Sequence, residues 1–369
     1  MAAAYADFEF HLEARSPIAA DSPFDSDTLW GRILCALAHG SEPGQRLVRG
    51  WLDELAAQDG KASPGWRPPL LVSEGFQYDE AGEPWLPVPL AMKLKLEQTA
   101  GRDPKGDRKR VKKLETIPSS KFFDVCRSGM ASLDELTARQ EERPCVEPAI
   151  QPHLATNRAS STGLDGLLYA TGLHLYRPHS RPLAPADSAS STSGGQRGSA
   201  QAVFFLRLRD ADEHQLVGNA LRQICDEGWG NSKSRGLGQI RFKRFDPWSF
   251  PDFDGIPEGF VSLSNFCPAR SDPVDGLWKL QPKHPVPPQF VNGRRVVLGE
   301  ESGKWRVKSF LRLRAGSCFR LASDRNLRDY YGRMLTGLLE PSEDGDGQPL
   351  PPLFHYALAF PVPIKWPEE

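Results

Sequence analysis

Two segments that lie far apart in the chain, Phe8–Arg15 and Ala202–Arg209, carry the alternating pattern of half-buried β-strands. Large apolar side chains occupy every second position in both, so each segment is predicted to turn one face towards a core. A helical pattern and a further strand pattern follow each of them. The order strand, helix, strand, strand, helix, strand is the ferredoxin-like (RRM-like) βαββαβ plan of the α+β class. Because strands one and three are neighbours in that sheet, these two segments are predicted to pair.

Periodicity and end signals mark the other elements of this unit. The first helix is predicted to follow the capping residues Ser26 and Asp27, and the second to end at Gly228. The helices are predicted at residues 28–38 and 213–227, and the outer strands at residues 70–77 and 239–245.

An insertion of more than a hundred residues, at about 78–200, separates the second strand from the third. This is too long for a simple loop in a compact domain. Tyr169–Tyr176 has the pattern of one strand of a hairpin. Ser188–Ser199 is almost entirely Ser, Gly, Thr, Ala and Gln, and is predicted to be a flexible link.

The segment Phe250–Pro257 is rich in Pro, Asp and Gly, which indicates a domain boundary. We therefore predict a ferredoxin-like domain at residues 1–249, which carries the insertion, and a second domain at residues 250–369. Strand-like stretches of the second domain lie at 260–267, 305–314 and 354–361, and its one predicted helix lies at 325–339. It is predicted to be a smaller β-rich or degenerate ferredoxin-like domain.

Composition restricts the classes of function. The 46 Lys and Arg residues nearly balance the 47 Asp and Glu residues, so a surface that binds nucleic acid must be a local patch. The apolar runs are too short to span a bilayer, and the N-terminal region lacks the basic start and apolar core of a secretory signal. The six cysteines are scattered without a C-x-x-C pair, so neither disulfides nor a zinc site is expected, and the cytoplasm is the expected compartment.

The segment Gly228–Gly238 (GWGNSKSRGLG) is the strongest candidate for a binding site. Its four glycines permit positive φ and close approach of the backbone to a ligand. Its interior offers short hydrogen-bond donors and two cations, which are groups that bind phosphate oxygens. The residues assigned to RNA binding are Trp229, Gly230, Asn231, Ser232, Lys233, Ser234, Arg235 and Gly236. The segment follows a helix and has no glycine before its lysine, so it is not a P-loop. A flexible connection between helix and strand is the alternative.

A basic stretch in the insertion, Arg102–Lys121, is a second candidate. It holds eight Lys or Arg residues against three Asp or Glu residues. Long cationic side chains on a mobile insertion bind polyanions by releasing counterions. The residues assigned to RNA contact are Arg108, Lys109, Arg110, Lys112, Lys113 and Lys121. The alternative is a solvated charged face without a ligand.

The histidines bear on the choice between a binding protein and a ribonuclease. His153 precedes Asn157 and Arg158, and an imidazole near a guanidinium can move a proton while the cation stabilises a phosphorane. The alternative is a polar loop that holds backbone or phosphate, in which Asn157 and Arg158 bind RNA. His11 lies on the polar side of the first strand, where a pairing or solvent-facing role is expected. The sequence contains no paired-carboxylate motif, serine elbow or HD dipeptide.

Several segments resemble a known family. The ferredoxin-like first domain, the helix opening SDTLWG (26–31) and the loop KSRGLG (233–238) resemble the RAMP superfamily of CRISPR–Cas proteins. Three further segments narrow the resemblance to the crRNA 5′-tag-binding capping subunit of type III-A (Csm) effector complexes. They are Asn157-Arg158 ahead of GLLY (166–169), VSLS (261–264) and FHYALAFPVPI (354–364).

This resemblance implies a non-catalytic RNA-binding subunit of a type III CRISPR–Cas interference complex. Such a subunit holds the 5′ tag of the crRNA and docks to the large polymerase-like subunit and to the backbone RAMP subunit. The resemblance implies phosphate contacts from Arg158, Lys233 and Arg235. It implies no cofactor, no metal and no membrane contact.

The alternative function is a metal-independent RAMP endoribonuclease that processes precursor crRNA. Its proton carrier would be His11, His39 or His153. A third class, a small-molecule enzyme on a ferredoxin-like scaffold, has no site in the sequence to support it, since a fold alone does not give a function.

Overall fold

A computed structural model describes most of the chain. The described residues are 5–19, 24–57, 66–99, 104–156, 163–177, 200–230, 233–285, 290–291, 294–295, 306–322, 326–340 and 354–367. The predicted link at 188–199 and four predicted RNA-binding residues lie outside these ranges. The four residues are Asn157, Arg158, Asn231 and Ser232.

Helices and strands alternate in the first half of the chain, and short strands dominate the second half. The α-helices are α1 (Ser26–His39), α2 (Glu42–Ala57), α3 (Leu90–Gln98), α4 (Pro104–Lys113), α5 (Ser119–Ser128), α6 (Leu133–Thr137) and α7 (His214–Glu227). The strands up to residue 250 are β1 (Ala6–Ala14), β2 (Leu70–Val72), β3 (Phe76–Gln77), β4 (Trp85–Pro87), β5 (Thr116–Pro118), β6 (Cys145–Thr156), β7 (Gly163–Arg177), β8 (Ala200–Leu208) and β9 (Ile240–Pro247). The later strands are β10 (Gly259–Ser262), β11 (Gly276–Leu277), β12 (Leu280–Lys283), β13 (Phe290–Val291), β14 (Arg294–Arg295), β15 (Arg306–Val307), β16 (Phe310–Leu313), β17 (Cys318–Arg320), β18 (Tyr331–Gly332), β19 (Leu339–Glu340), β20 (Leu358–Ala359) and β21 (Pro361–Ile364).

Strand β1 lies inside an antiparallel sheet whose strand order is β2-β8-β1-β9, and β3 also pairs with β8. Phe10 of β1 lies opposite Phe204 of β8. On its other side β1 pairs with β9, with a register shift between His11 and Leu12. The two segments that the sequence predicts to pair are therefore neighbours.

The predicted outer strand at 70–77 is divided into β2 and β3. Between them the Gly75 N–H donates to the Phe24 carbonyl, 2.9 Å away, instead of to β8. A Cβ at Gly75 would lie 2.6 Å from the Phe24 Cβ and 2.7 Å from the Phe204 ring. The glycine therefore lets the segment that precedes α1 lie against the sheet.

Helices α1 and α7 and the apolar face of β1 form the main core. Phe8, Phe10 and Leu12 of β1 are buried, and the Phe8 ring stacks on His214 of α7 at 5.6 Å. Helix α7 buries its apolar residues at 217, 220, 221 and 224 along one side. It ends, as predicted, at Gly228, whose φ of +80° favours glycine. Replacing a core phenylalanine such as Phe10 by alanine costs about 3–5 kcal/mol.

Aromatic side chains cover the opposite face of this sheet. The Phe205 ring lies 4.6 Å from that of Trp248 and 5.5 Å from that of Phe250. Phe250 in turn lies 5.6 Å from Phe360, close to the end of the chain. The C-terminal strands are thus joined to the first sheet through apolar contact.

The described part of the insertion contains packed helices and a hairpin. Val111, Leu114 and Phe122 are buried in the same core cluster as the first sheet. The described part of the basic stretch therefore forms helix α4, strand β5 and the start of α5, and its apolar residues Val111 and Leu114 are directed inwards. Strands β6 and β7 pair antiparallel, which confirms the predicted strand at 169–176.

The C-terminal half contains a sheet with strand order β11-β17-β10-β21 and several two-stranded ladders. The helix predicted at 325–339 is wrong, because β18 lies inside that range and pairs with β20. The Tyr331 ring stacks on Phe260 with centroids 3.9 Å apart. Gly332 has a φ of +86° and Gly337 a φ of +67°, values that a right-handed helix does not allow. Tertiary stacking and the two glycines therefore override the helical spacing of the apolar residues.

Buried ion pairs, and not a side-chain cap, hold the start of α1. Asp25 is the residue before the helix and makes no capping hydrogen bond. Its Oδ2 lies 2.8 Å from Lys283 Nζ and 3.2 Å from an Arg312 guanidinium nitrogen. The prediction that Ser26 and Asp27 cap the helix is therefore wrong: both lie within it, because ionic partners from the second half of the chain take the acidic side chains.

Asp27 faces the same cations from inside the first turn of α1. Its carboxylate oxygens lie 2.9 Å from Lys283 Nζ, 3.4 Å from Arg312 and 3.2 Å from His355 Nε2. Burial alone raises the pKa of a carboxyl. The nearby His355 imidazole and the charges of Lys283 and Arg312 outweigh burial and lower the pKa of Asp27. The charged form is thus the native one. We call Asp25, Asp27, Lys283, Arg312 and His355 the ionic cluster.

Glu74 lies next to Asp25 of the ionic cluster, and its pKa is shifted in the opposite direction to that of Asp27. Burial and the nearby negative charge of Asp25 raise the pKa of Glu74 to about 8. Its Oε1 accepts hydrogen bonds from the Ser26 hydroxyl at 2.7 Å and from the Asn265 N–H at 3.1 Å. The native protein therefore retains a proton on Glu74 that an unfolded chain loses near pH 4.3.

The structure describes no helix that is long and apolar enough to cross a membrane. Within the described ranges, no group of three or more His, Cys, Asp or Glu side chains is arranged to hold a metal ion. The six cysteines are free thiols.

We expect Glu74 to make the protein less stable as the pH rises. Between about pH 4.3 and 8 the native state binds more protons than the unfolded state at this site, so the free energy of unfolding falls with rising pH. In Glu74→Gln the amide oxygen still accepts both hydrogen bonds but does not titrate. Urea unfolding at a series of pH values should show that the free energy of unfolding declines less with rising pH in Glu74→Gln than in wild type. Above pH 8 the variant should be the more stable of the two. The exposed Glu42→Gln is the control and should keep the wild-type slope. An unchanged slope in Glu74→Gln would contradict the assignment.

Candidate nucleic-acid interface

The glycine loop, residues 228–238, has a backbone that requires its glycines. Gly228, Gly230, Gly236 and Gly238 have φ between +70° and +81°. The Trp229 N–H donates to the Gly238 carbonyl at 2.6 Å and closes the loop. A Cβ at Gly238 would lie only 1.7 Å from the Trp229 carbonyl oxygen. The closed form of the loop is therefore incompatible with a side chain at position 238.

Trp229 anchors the glycine loop in the core. Its side chain is 1% exposed. The indole ring lies 5.2 Å from that of Phe24 and 5.9 Å from that of Phe204. The structure thus places this predicted RNA-binding residue under the loop, where it fixes the backbone and does not face solvent.

The segment after β1 supports the glycine loop from below. Gly230 approaches the Ala19 carbonyl so closely that a Cβ would lie 2.5 Å from its oxygen. The Gly238 N–H donates to the Pro17 carbonyl at 2.8 Å, and the Gln239 N–H donates to Ser16 Oγ at 2.8 Å. The two hydrogen bonds fix the C-terminal end of the loop to the segment after β1, and the close approach of Gly230 places the other end against the same segment.

The outer part of the glycine loop presents cations to solvent. Lys233–Arg235 forms a 3₁₀ turn in which all three side chains are exposed, and Gly236 next to it is also exposed. Among the described residues, no carboxylate forms an ion pair with Lys233. Partial burial and the charge of Arg32 lower the pKa of Lys233, while Glu227 acts in the opposite sense. An anion beside Lys233 would relieve this repulsion.

Arg32 of α1 belongs to this site, and sequence reasoning missed it. Its guanidinium donates to the Gly228 carbonyl and lies 3.2 Å from a Glu227 carboxylate oxygen. It also lies 5.6 Å from the centre of the Trp229 ring. The cation therefore stabilises the carbonyl end of α7, where the helix dipole is negative. Its position on the first predicted helix was visible in the sequence, but its partner was not.

The basic stretch forms a separate exposed face on α4 and α5. Its six predicted RNA-contact residues are exposed: Arg108, Lys109, Arg110, Lys112, Lys113 and Lys121. Arg110 is engaged within the protein, since its guanidinium lies 2.7 Å from an Asp134 carboxylate oxygen and 2.6 Å from the Thr137 hydroxyl. Helix α4 packs against α3 and α6, whereas the glycine loop packs against α1 and the segment after β1. The two predicted surfaces are thus built on different supports.

The histidines differ in their surroundings. His11 is 4% exposed, with Nε2 at 3.0 Å from a Glu9 carboxylate oxygen and Nδ1 at 2.9 Å from the Tyr78 hydroxyl. It therefore has the pairing role that the sequence indicated. His39 is exposed at the end of α1, with Nδ1 at 2.8 Å from the Cys35 carbonyl oxygen. His153 lies on β6, whose side chain at that position the structure does not describe.

Comparison with known proteins reveals similarity in structure. No family model matches the chain, and no curated protein matches its sequence. A chain of a Csm1-Csm4 cassette crystallised with cA4 has a TM-score of 0.54 at 18% identity, covering 98% of this chain and 100% of that one. Cassettes crystallised with pppApA and with AMPPNP give TM-scores of 0.52 and 0.51 at 16% and 17% identity, with the same coverage. The chain therefore shares the fold of a chain from these Csm1-Csm4 cassettes, which confirms the predicted resemblance at the level of the fold.

We expect Gly238→Ala to be far more damaging than Gly236→Ala. Both positions have a positive φ, so each variant loses about 1 kcal/mol from backbone strain. Only at Gly238 does the new Cβ meet the Trp229 carbonyl, whereas nothing lies within 4 Å of the one at Gly236. Thermal unfolding should show that Gly238→Ala lowers the free energy of unfolding by at least about 2 kcal/mol more than Gly236→Ala does. Equal losses would show that the loop opens freely.

Proposed function

We propose that this chain is a non-catalytic RNA-binding subunit of a type III CRISPR–Cas interference complex and that it holds the 5′ tag of the crRNA. The observation that carries the proposal is the exposed Lys233 on a loop whose backbone is fixed from below by Trp229 and Gly238. A preorganised loop with a cation and no carboxylate partner among the described residues suits a phosphate ligand. The fold that this chain shares with a chain of Csm1-Csm4 cassettes supports a Csm4-like role.

We infer that the first sheet is a ferredoxin-like unit, with α1 and α7 as its two helices. The antiparallel order β2-β8-β1-β9 supports this inference. In that plan a helix precedes the second strand and another precedes the fourth. The glycine loop then connects the second helix to the fourth strand, next to the central strand β1.

RNA binding by this loop would depend on the backbone of the nucleic acid more than on its bases. Lys233 and Arg235 offer charge to phosphate oxygens, and exposed main-chain N–H groups of the turn offer hydrogen bonds. Recognition of single-stranded bases requires splayed nucleotides and side chains that reach their edges. Asn157 and Arg158 remain proposed contributors through the family resemblance.

The proposed partners are the large polymerase-like subunit and the backbone RAMP subunit of the same complex. The similar chains come from Csm1-Csm4 cassettes, which supports an assembly of this kind. A near-neutral chain with 46 cations and 47 anions is consistent with surfaces of different charge for RNA and for protein. The proposed compartment is the cytoplasm.

The absence of catalysis is part of the proposal. His11 is buried and bonded to Glu9 and Tyr78, which supports a structural role for this histidine. His39 lies at the far end of α1 and contacts its own helix. His11 shares a pocket with the exposed cations Lys243 and Arg244, but Glu9 and Tyr78 engage both of its ring nitrogens. This argues against the free proton carrier that the endoribonuclease alternative requires.

We expect Lys233→Ala and Arg235→Ala to weaken capture of guide RNA and to lower its salt dependence. Each phosphate of single-stranded RNA that the protein no longer neutralises reduces the slope of log K against log salt by about 0.7. A salt titration with labelled repeat-derived RNA measures both quantities. Arg46→Ala removes an exposed cation that pairs with Glu42 on α2, so it serves as the matched control. Identical titrations for wild type and both loop variants would refute the assignment.

We also expect no histidine-dependent cleavage. Purified protein incubated with labelled repeat RNA in the absence of metal should leave the RNA intact. A discrete cut that disappears in His39→Ala or His153→Ala would establish the endoribonuclease alternative instead.

A further inference from the structure

A second cationic site lies in a pocket next to the start of α1. The pocket has a volume of about 270 Å³. Its cations are Lys93 of α3, Lys279 just before β12 and Arg314 just after β16. The start of α1 also lines it, through Asp25. We call it the α3 pocket.

Lys93 is the unusual residue of the α3 pocket. It is 8% exposed, yet its ammonium group has no hydrogen bond or ion pair with any residue that the structure describes. The stem of the side chain is buried, and the ammonium group faces the pocket, where an anion can reach it. Burial and the charges of Lys279 and Arg314 lower the pKa of Lys93, while Glu115 and Glu97 act in the opposite sense. A site of this kind is incomplete without an anion.

Backbone hydrogen bonds hold the three cations together. The Arg314 N–H donates to the Lys279 carbonyl at 2.9 Å, and this places the two residues side by side. The Leu90 N–H at the start of α3 donates to the Gly316 carbonyl at 3.0 Å. Lys93 lies one turn further along α3. Hydrogen bonds therefore fix the backbone that carries the three cations of the pocket.

The carboxyl groups of the α3 pocket are largely neutralised from within the protein. Asp25 is paired with Lys283 and Arg312 in the ionic cluster. Glu74, with its pKa raised to about 8, holds a proton at neutral pH. Glu115 is exposed and lies 3.7 Å from an Arg143 nitrogen. The positive charge of Lys93, Lys279 and Arg314 therefore dominates the pocket.

We propose that the α3 pocket binds a phosphate group of the same RNA strand that the glycine loop holds. This inference rests on the proposed function. The residues before α1 connect the two sites: the Phe24 ring contacts Trp229 under the glycine loop, and the next residue, Asp25, lines the pocket. A single strand that passes over the start of α1 meets both sites. Three cations around one small pocket suit the several oxygens of a phosphate group.

The test compares Lys93→Met with Lys95→Met in the full-length chain. Methionine fills the space of the buried stem without the charge. Lys95 lies on the same helix but lines a different cleft, beside Arg320 and Trp366, so its variant is the matched control. The probe is a labelled single-stranded repeat RNA, titrated over a range of salt. We expect Lys93→Met to bind about five-fold more weakly at 0.1 M salt with a slope lower by about 0.7, and Lys95→Met to bind as wild type.

Two further measurements separate the possible outcomes. Lys93→Met without RNA should melt no lower than wild type, because methionine keeps the buried stem and the change removes no ion pair or hydrogen bond to any described residue. If Lys93→Met folds poorly, a variant at the exposed Arg314, Arg314→Gln, replaces it, and we expect the same loss of RNA affinity. If these variants bind RNA as wild type while Lys233→Ala is weakened, the α3 pocket proposal fails and the proposed function stands. If wild type binds no RNA, both the proposed function and this inference are refuted.

The source of the phosphate is tested in the same preparation. Stabilisation of wild type by inorganic phosphate that disappears in Lys93→Met, with RNA binding unchanged, would assign the pocket to a free anion and overturn the RNA proposal. If Lys93→Met no longer captures a partner subunit but binds RNA as wild type, the pocket binds an acidic protein segment. That result would also overturn the RNA proposal.

Discussion

The ionic cluster at the start of α1 is the interaction on which the arrangement of the two halves depends. Asp25 and Asp27 come from the first half of the chain, whereas Lys283, Arg312 and His355 come from the second half. Breaking one partner of such a buried set leaves an uncompensated charge, which costs about 3–5 kcal/mol. The cluster therefore restricts the position of α1 more strictly than apolar contact does, since apolar packing has no preferred direction.

Helix α1, fixed in this way, connects the structural features that bear on function. Phe24, two residues before its first residue, packs against Trp229 under the glycine loop. Within the helix, Arg32 donates to the carbonyl of Gly228 at the end of α7. Asp25, the residue just before the helix, lines the α3 pocket. One helix therefore supports two cationic surfaces whose charges come from distant parts of the sequence.

Sequence reasoning succeeded where the information was local. The alternation in β1 and β8, and the apolar periodicity and terminal glycine of α7, indicated elements that the structure contains. It failed at 325–339, where the Tyr331 ring stacks on Phe260 and Gly332 adopts a positive φ. The helical spacing there was real, but a contact with a residue some seventy positions earlier outweighed it.

The sequence by itself determined that β1 and β8 are strands, that α7 is a helix and that a glycine-rich, cationic loop follows it, because periodicity and glycine content act over a few neighbouring residues. Only the tertiary structure decided which charged groups remain available to a ligand. Lys233 has no carboxylate partner among the described residues, Arg110 is paired with Asp134, and Lys93 is buried without a partner in that part of the chain. All three are simply cations in the sequence. Their difference arises because ion pairing and burial depend on distances of a few ångströms between groups that the chain order keeps far apart.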